Sequence, residues 1–163
     1  MRNAKTNNTV SAGALLNDAR QYHAAADALF ESKIYLSRPI NALYFHTVEL
    51  ALKAYLRAHG GDPWGHKIGK LYNECRASGL KITSDDRFGL GNIVSLLEKG
   101  NEDMAFRYFT LKSGSEPDLR WTREVVGQLM QAVEAFVQPD GPVAPGRIAK
   151  LTMVIGMPVD KNV

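Results

Sequence analysis

Three observations predict an all-α fold for this chain. Apolar residues recur every three or four positions through most of it, short Gly-, Pro- or Asp-containing breaks separate these stretches, and no stretch inside the repeating region alternates long enough to be a strand. Four to five helices with mostly short connections make an up-and-down bundle. At 163 residues the chain holds a single domain. The expected division is a flexible lead over 1–10, a helical bundle over 11–137, and a Pro/Gly-rich C-terminal tail over 138–163.

A first helix is predicted over 11–32, where Ala12, Leu15, Ala19, Tyr22, Ala26 and Leu29 form an inner stripe widened by Leu16, His23 and Phe30. Pro39 suits the first turn of a second helix, and Gly60-Gly61 followed by Asp62-Pro63 ends it, giving about 38–59. At about 100° per residue, His46, Glu49, Lys53 and Arg57 share a sector of roughly 80°. The rest of that helix is nearly all apolar, the mark of the central helix of a bundle.

A short, basic third helix is expected over 66–78, with Ile68, Leu71, Tyr72 and Cys75 turned inward and Gly79 as its stop. Ser84, Asp85 and Asp86 favour the start of a fourth helix, with Phe88, Leu90, Ile93, Leu96 and Leu97 on its inner face up to Gly100. The stretch "NEDMAFRYFTLKSGSEP" reads as an ordered loop carrying Arg107 and Tyr108. Leu119, Val126, Leu129, Val133 and Phe136 set the register of a fifth helix over 117–137. Beyond it, "QPDGPVAPGR" is a linker and "IAKLTMVIGMPV" an apolar, β-prone piece that pairs with a partner subunit, lies along a groove or stays mobile.

Composition narrows the function classes. The hydrophobic share of 45% and charged share of 23% are those of a globular protein. The net charge of +3 permits nucleic acid without demanding it. Part of that charge is local: from Lys53 to Lys81 six Lys/Arg face two acids, Asp62 and Glu74, a surplus of four. Cys75 is the single cysteine, which excludes an intrachain disulfide and fits a reducing cytoplasm. The N-terminus lacks an uninterrupted apolar core of a signal sequence, and no run is long enough to span a membrane.

Each candidate for chemistry has a plainer reading beside it. The polar sector on the second helix, with His66 just past the turn, is either a pocket or a solvated stripe; Glu49 to Lys53 is the favoured i, i+4 ion-pair order. His46 with Glu49 and His23 with Asp27 can each place two ligands on one helix face, but a two-metal bundle wants matched Glu-x-x-His pairs, and none occurs, so no metal is expected. "GLGNIV" lacks the rest of a phosphate-binding loop. Cys75 falls on an inward face, as a core thiol would. Trp64 and Trp121 can stack on bases, though each also suits a packing lid. Arg107 and Tyr108 can hold a phosphate or a base, or can anchor and cap the end of the fourth helix.

The order of "ALYFHTVELALKAYLRAHGGDPWGHKIGKLYNECRASG", a helix, "FRYF" and a long final helix resembles the HEPN superfamily over roughly residues 11–137. The matching parts are Glu49 to Ala54, Gly65-His66 with Leu71, and Arg107-Tyr108. The resemblance implies a helical bundle, frequently dimeric, with one of two kinds of function. Ribonuclease members carry Arg, a polar residue and a later His on a late helix; here no His follows His66. The other kind is a non-enzymatic nucleotide- or RNA-binding accessory module, often encoded with a small nucleotidyltransferase.

Carried over by position, the ligand-binding set is Glu49, Lys53, His66, Arg107 and Tyr108, with no catalytic residue and no cofactor. The leading expectation is therefore a cytoplasmic, homodimeric binding module with a possible nucleotidyltransferase partner. One alternative is a ribonuclease or other phosphodiester-cleaving toxin of a toxin-antitoxin pair, using His46 or His66. The other is a dimerisation scaffold completed by the C-terminal tail.

Overall fold

The computed structural model describes residues 10–32, 36–82, 89–102 and 116–138. They form five helices: α1 Ala12–Glu31, α2 Ser37–Ala58, α3 Ile68–Ala77, α4 Leu90–Glu102 and α5 Leu119–Glu134. Consecutive helices pack on one another, and α5 closes the bundle against α1 and α2. No strand occurs among the described residues. Arg107, Tyr108, the expected start of the fourth helix at Ser84–Asp86, Phe88 and the tail from 139 onward lie outside the described residues.

Local chemistry sets the helix ends. The Ser11 hydroxyl accepts from Ala14 N at 3.0 Å to cap α1, and the Asp118 carboxylate does the same for α5 from Trp121 N at 3.0 Å. Neither α2 nor α3 has a side-chain cap at its start. For α3 the anion comes from elsewhere in the fold: Glu98 of α4 accepts from Gly69 N at 3.4 Å, at the positive end of the helix. After α2 the chain turns back through Gly60 at φ 81°, a left-handed conformation that glycine adopts without the Cβ penalty, and a similar step at Gly65 (φ 85°) leads towards α3.

α2 is the centre, packed against all four other helices. Its Tyr44, Phe45, Val48 and Leu52 meet Leu16 of α1, Ile68 and Leu71 of α3, Ile93 and Leu97 of α4, and Leu129 of α5 in one continuous core. Each such side chain taken fully out of water contributes about 1.5 to 3 kcal/mol before the entropy of ordering is charged. Cys75 is buried among them and its thiol donates to Leu52 O at 3.4 Å.

Three expectations change. α3 begins at Ile68, so His66 stands on the turn ahead of the helix. α5 ends at Glu134; Phe136 therefore leaves the inner register, is half exposed and stacks on His59 with ring centroids 4.3 Å apart, while Val137 takes the buried place. Tyr22 lies at the edge of the α1 stripe, partly exposed, beside the ring of His46 at 5.1 Å.

Candidate functional site

The polar sector of α2 divides into unlike parts. Glu49 is only 5% exposed, although its helix neighbours Lys53 and Arg57 are half-buried. A carboxylate at that depth needs donors, and one oxygen, Oε1, accepts two: Lys53 Nζ at 2.7 Å and His66 Nδ1 at 2.8 Å. The first bond lies along α2; the second reaches across the Gly60-Gly61 turn and fastens the approach to α3 onto the central helix.

The two donors differ in where they stand. The Lys53 side chain is 14% exposed and mainly neutralises Glu49. That of His66 is 81% exposed. Because a carboxylate offers no proton, His66 Nδ1 donates to it, which leaves Nε2 turned to solvent as an acceptor in the neutral ring and a donor in the charged one. An imidazole held in this way can bind a phosphate oxygen or carry a proton.

The next turn holds a second linked set. Arg57 Nη2 pairs with Asp62 Oδ1 at 2.7 Å, and the Trp64 indole N–H donates to Asp62 Oδ2 at 3.1 Å. The indole hydrogen bond, and then Arg57, hold the Asp62 carboxyl below its usual range. Trp64 is 80% exposed and is no lid on the core; that role falls to Trp121, which packs partly buried against it. Lys67 and Lys70 follow on the surface. Arg76, Lys81, Tyr72 and Asn92 are among the residues lining a cavity of about 470 Å³ between α3 and α4.

Of the five residues expected to bind ligand, Glu49, Lys53 and His66 come together, and Arg107 and Tyr108 lie outside the described residues. His46 packs its ring against Tyr22 and Phe45. The Asp27 carboxylate, considered beside His23 as a metal ligand, accepts instead from Tyr44 OH at 2.9 Å and Arg123 Nε at 3.2 Å. Among the described residues no three His, Cys, Asp or Glu side chains converge as a metal site needs. Burial, and then the charge of Asp27, push the Tyr44 phenol far above its usual range, while the hydrogen bond to Glu31 raises the already high Arg123.

This Asp27–Tyr44–Arg123–Glu31 network is absent from the sequence reading. Its one local signal is a pair of acids at i, i+4 on α1, which needs a cation from another helix. Beside it a shallow groove of about 360 Å³ opens between α1 and α5, lined by His23, Asp27, Arg120, Arg123 and Gln128 among others.

Among the described residues the frame is thus a bundle of five helices whose central helix carries the buried Glu49 carboxylate, which accepts two hydrogen bonds. The chain belongs to the HEPN family: the family model, described as HEPN domain, matches residues 12–139. No curated protein and no solved structure gives a significant match. No described helix is long and apolar enough to cross a membrane.

Proposed function

We propose that this HEPN domain is a non-enzymatic nucleotide- or RNA-binding accessory module, acting as a cytoplasmic homodimer with a nucleotidyltransferase as partner. The observation that carries the reading is the single Glu49 oxygen that holds Lys53 and His66 at once. It cancels one buried charge and fixes an exposed imidazole on a corner where, with Lys53 spent on Glu49, Arg57 to Lys81 still carry five Lys/Arg against Asp62 and Glu74, a surplus of three. A phosphate approaching there meets an oriented imidazole, whose Nε2 donates to it when the ring is charged, in a positive field. Arg107 and Tyr108 belong to the proposed set by family resemblance, as a phosphate contact and a base contact.

The test is a thermal-shift panel with ATP, GTP, UTP, dinucleotides and short RNA, with and without magnesium. Ligand at a hundredfold its dissociation constant adds about 2.7 kcal/mol, which for a domain of this size raises the melting temperature by roughly 5 to 10 °C. The rise is expected for one ligand class and should vanish in His66→Ala and Arg107→Ala, while the unliganded melting temperature of His66→Ala falls by no more than about 3 to 4 °C, the worth of its hydrogen bond to Glu49. A flat panel, or a rise kept in both variants, overturns the reading.

The Glu49–His66 pair also favours a second reading, an RNA-cleaving enzyme. A carboxylate bonded to Nδ1 is the usual way to orient an imidazole for acid/base work at Nε2. That reading requires RNA cleavage without divalent ions, abolished by His66→Ala. Highly purified protein that leaves structured and single-stranded RNA intact retires it.

A further inference from the structure

The exposed Trp64 refines the proposed binding site, and the inference rests on that proposal. An indole is a large apolar surface that folding ordinarily withdraws from water. Here it stands 80% exposed, yet it is not loose: its N–H is bonded to Asp62 Oδ2, and Asp62 Oδ1 is bonded in turn to Arg57 on the last turn of α2. The ring edge is thereby tied to the central helix of the bundle.

Charge selects the occupant. Asp62 is the only acid in the turn from Gly60 to Lys67, and both of its oxygens are already used by Arg57 and the indole. Two residues beyond Trp64 comes the exposed, Glu49-tethered His66, followed by the exposed Lys67 and by Lys70, which is 71% exposed and shares its charge with Glu74 at 3.7 Å. Two residues of extended chain reach at most about 7 Å, so the backbones of Trp64 and His66 lie within the span of about one nucleotide. We propose that Trp64 is a stacking platform for an unpaired base, with His66, Lys67 and Lys70 as the phosphate track, and that the ligand of this corner is single-stranded nucleic acid.

The alternatives fit less well. A free mononucleotide is normally held in a concave pocket that buries most of its surface, whereas this corner is open. A duplex hides its base faces inside the stack and leaves an indole nothing to cover. A protein partner would use the exposed Trp64 as an apolar anchor and gain little from the surrounding cations.

The experiment uses the full chain in a Trp121→Phe background, so that emission reports Trp64 alone. Probes are oligouridylate, oligothymidylate, an RNA duplex and ATP, titrated at two salt concentrations. Single strands are expected to quench Trp64 emission, with affinity falling as salt rises. Trp64→Ala, followed by anisotropy of labelled strand, should weaken binding roughly five- to hundredfold, and Trp64→Phe should recover most of it. The uridylate and thymidylate arms show whether the 2′-hydroxyl is read.

Trp64→Ala that binds as tightly as its parent, while His66→Ala binds weakly, overturns the stacking and leaves the phosphate site standing. ATP or duplex binding as tight as the single strand also overturns it. No binding by any probe defeats both this inference and the proposed function beneath it.

Discussion

Glu49→Gln keeps the shape of a side chain and removes its charge, so it isolates what the buried carboxylate does. Taking one partner from a fully buried ion pair costs about 3 to 5 kcal/mol, because the other charge is left without compensation. Two features reduce that figure here. The Lys53 side chain is 14% exposed and regains some water, and the glutamine oxygen still accepts one of the two hydrogen bonds. His66, already largely in solvent, loses about one ordinary hydrogen bond, near 1 kcal/mol.

The expected destabilisation is therefore about 2 to 3 kcal/mol. At about 3 to 4 °C per kcal/mol for a domain of this size, the melting temperature falls by roughly 6 to 12 °C. Thermal unfolding gives the shift, and urea titration at constant slope gives the free energy. Lys53→Met should cost a similar amount by stranding Glu49, and the double variant Glu49→Leu with Lys53→Met should recover most of the loss, since an apolar pair replaces an ionic one at little net cost. Single variants within about 0.5 kcal/mol of the parent, with an additive double variant, would mean a solvated pair. The reasoning from burial would then be wrong.

Two further predictions concern groups away from that corner. Tyr44→Phe removes the buried phenol's bond to Asp27 and should cost about 1 kcal/mol; in the Asp27→Asn background the same change should cost less, and a cycle with no coupling would deny the hydrogen bond. Burial pushes the Cys75 thiol up to about 12, so at pH 8 about one molecule in ten thousand carries the thiolate. Native protein should therefore react with a disulfide reagent at the pace of its opening, and denatured protein at once; prompt, stoichiometric labelling of native protein would refute the burial. Because that folded value lies above the unfolded one near 8.5, the stability tied to this thiol is whole below about pH 8.5 and declines as pH rises towards 12.

The helices were legible wherever one face had to meet the core. The helices expected over 11–32 and about 38–59 meet α1 and α2 to within a residue at each end, the first from its apolar period and the second from Pro39 and the Gly60-Gly61 break. The nearly apolar circumference of α2 named the central helix correctly. Helix ends that depend on other helices were less legible. His66 is expected at the first position of a helix over 66–78, just past the turn; the helix begins at Ile68, and the bond to Glu49 holds His66 on the turn. Phe136 was expected inward because the seven-residue register was extended past Glu134, where the helix stops.

By itself the sequence determined an all-α bundle of four to five helices and an inward-facing thiol, because these follow from local spacing and residue type, while the family entered through the resemblance of its motif order. It also singled out Glu49, Lys53 and His66, but gave no means to say which of them lies in water. The tertiary structure decided that, along with every contact made across distance: His66 to Glu49 over 17 positions, Tyr44 to Asp27 over 17, and Arg123 to Asp27 over 96. The physical reason is that burial and pairing belong to the space between helices. A periodic stripe says which face turns inward, while the depth of a carboxylate and the exposure of an indole depend on which neighbours arrive there.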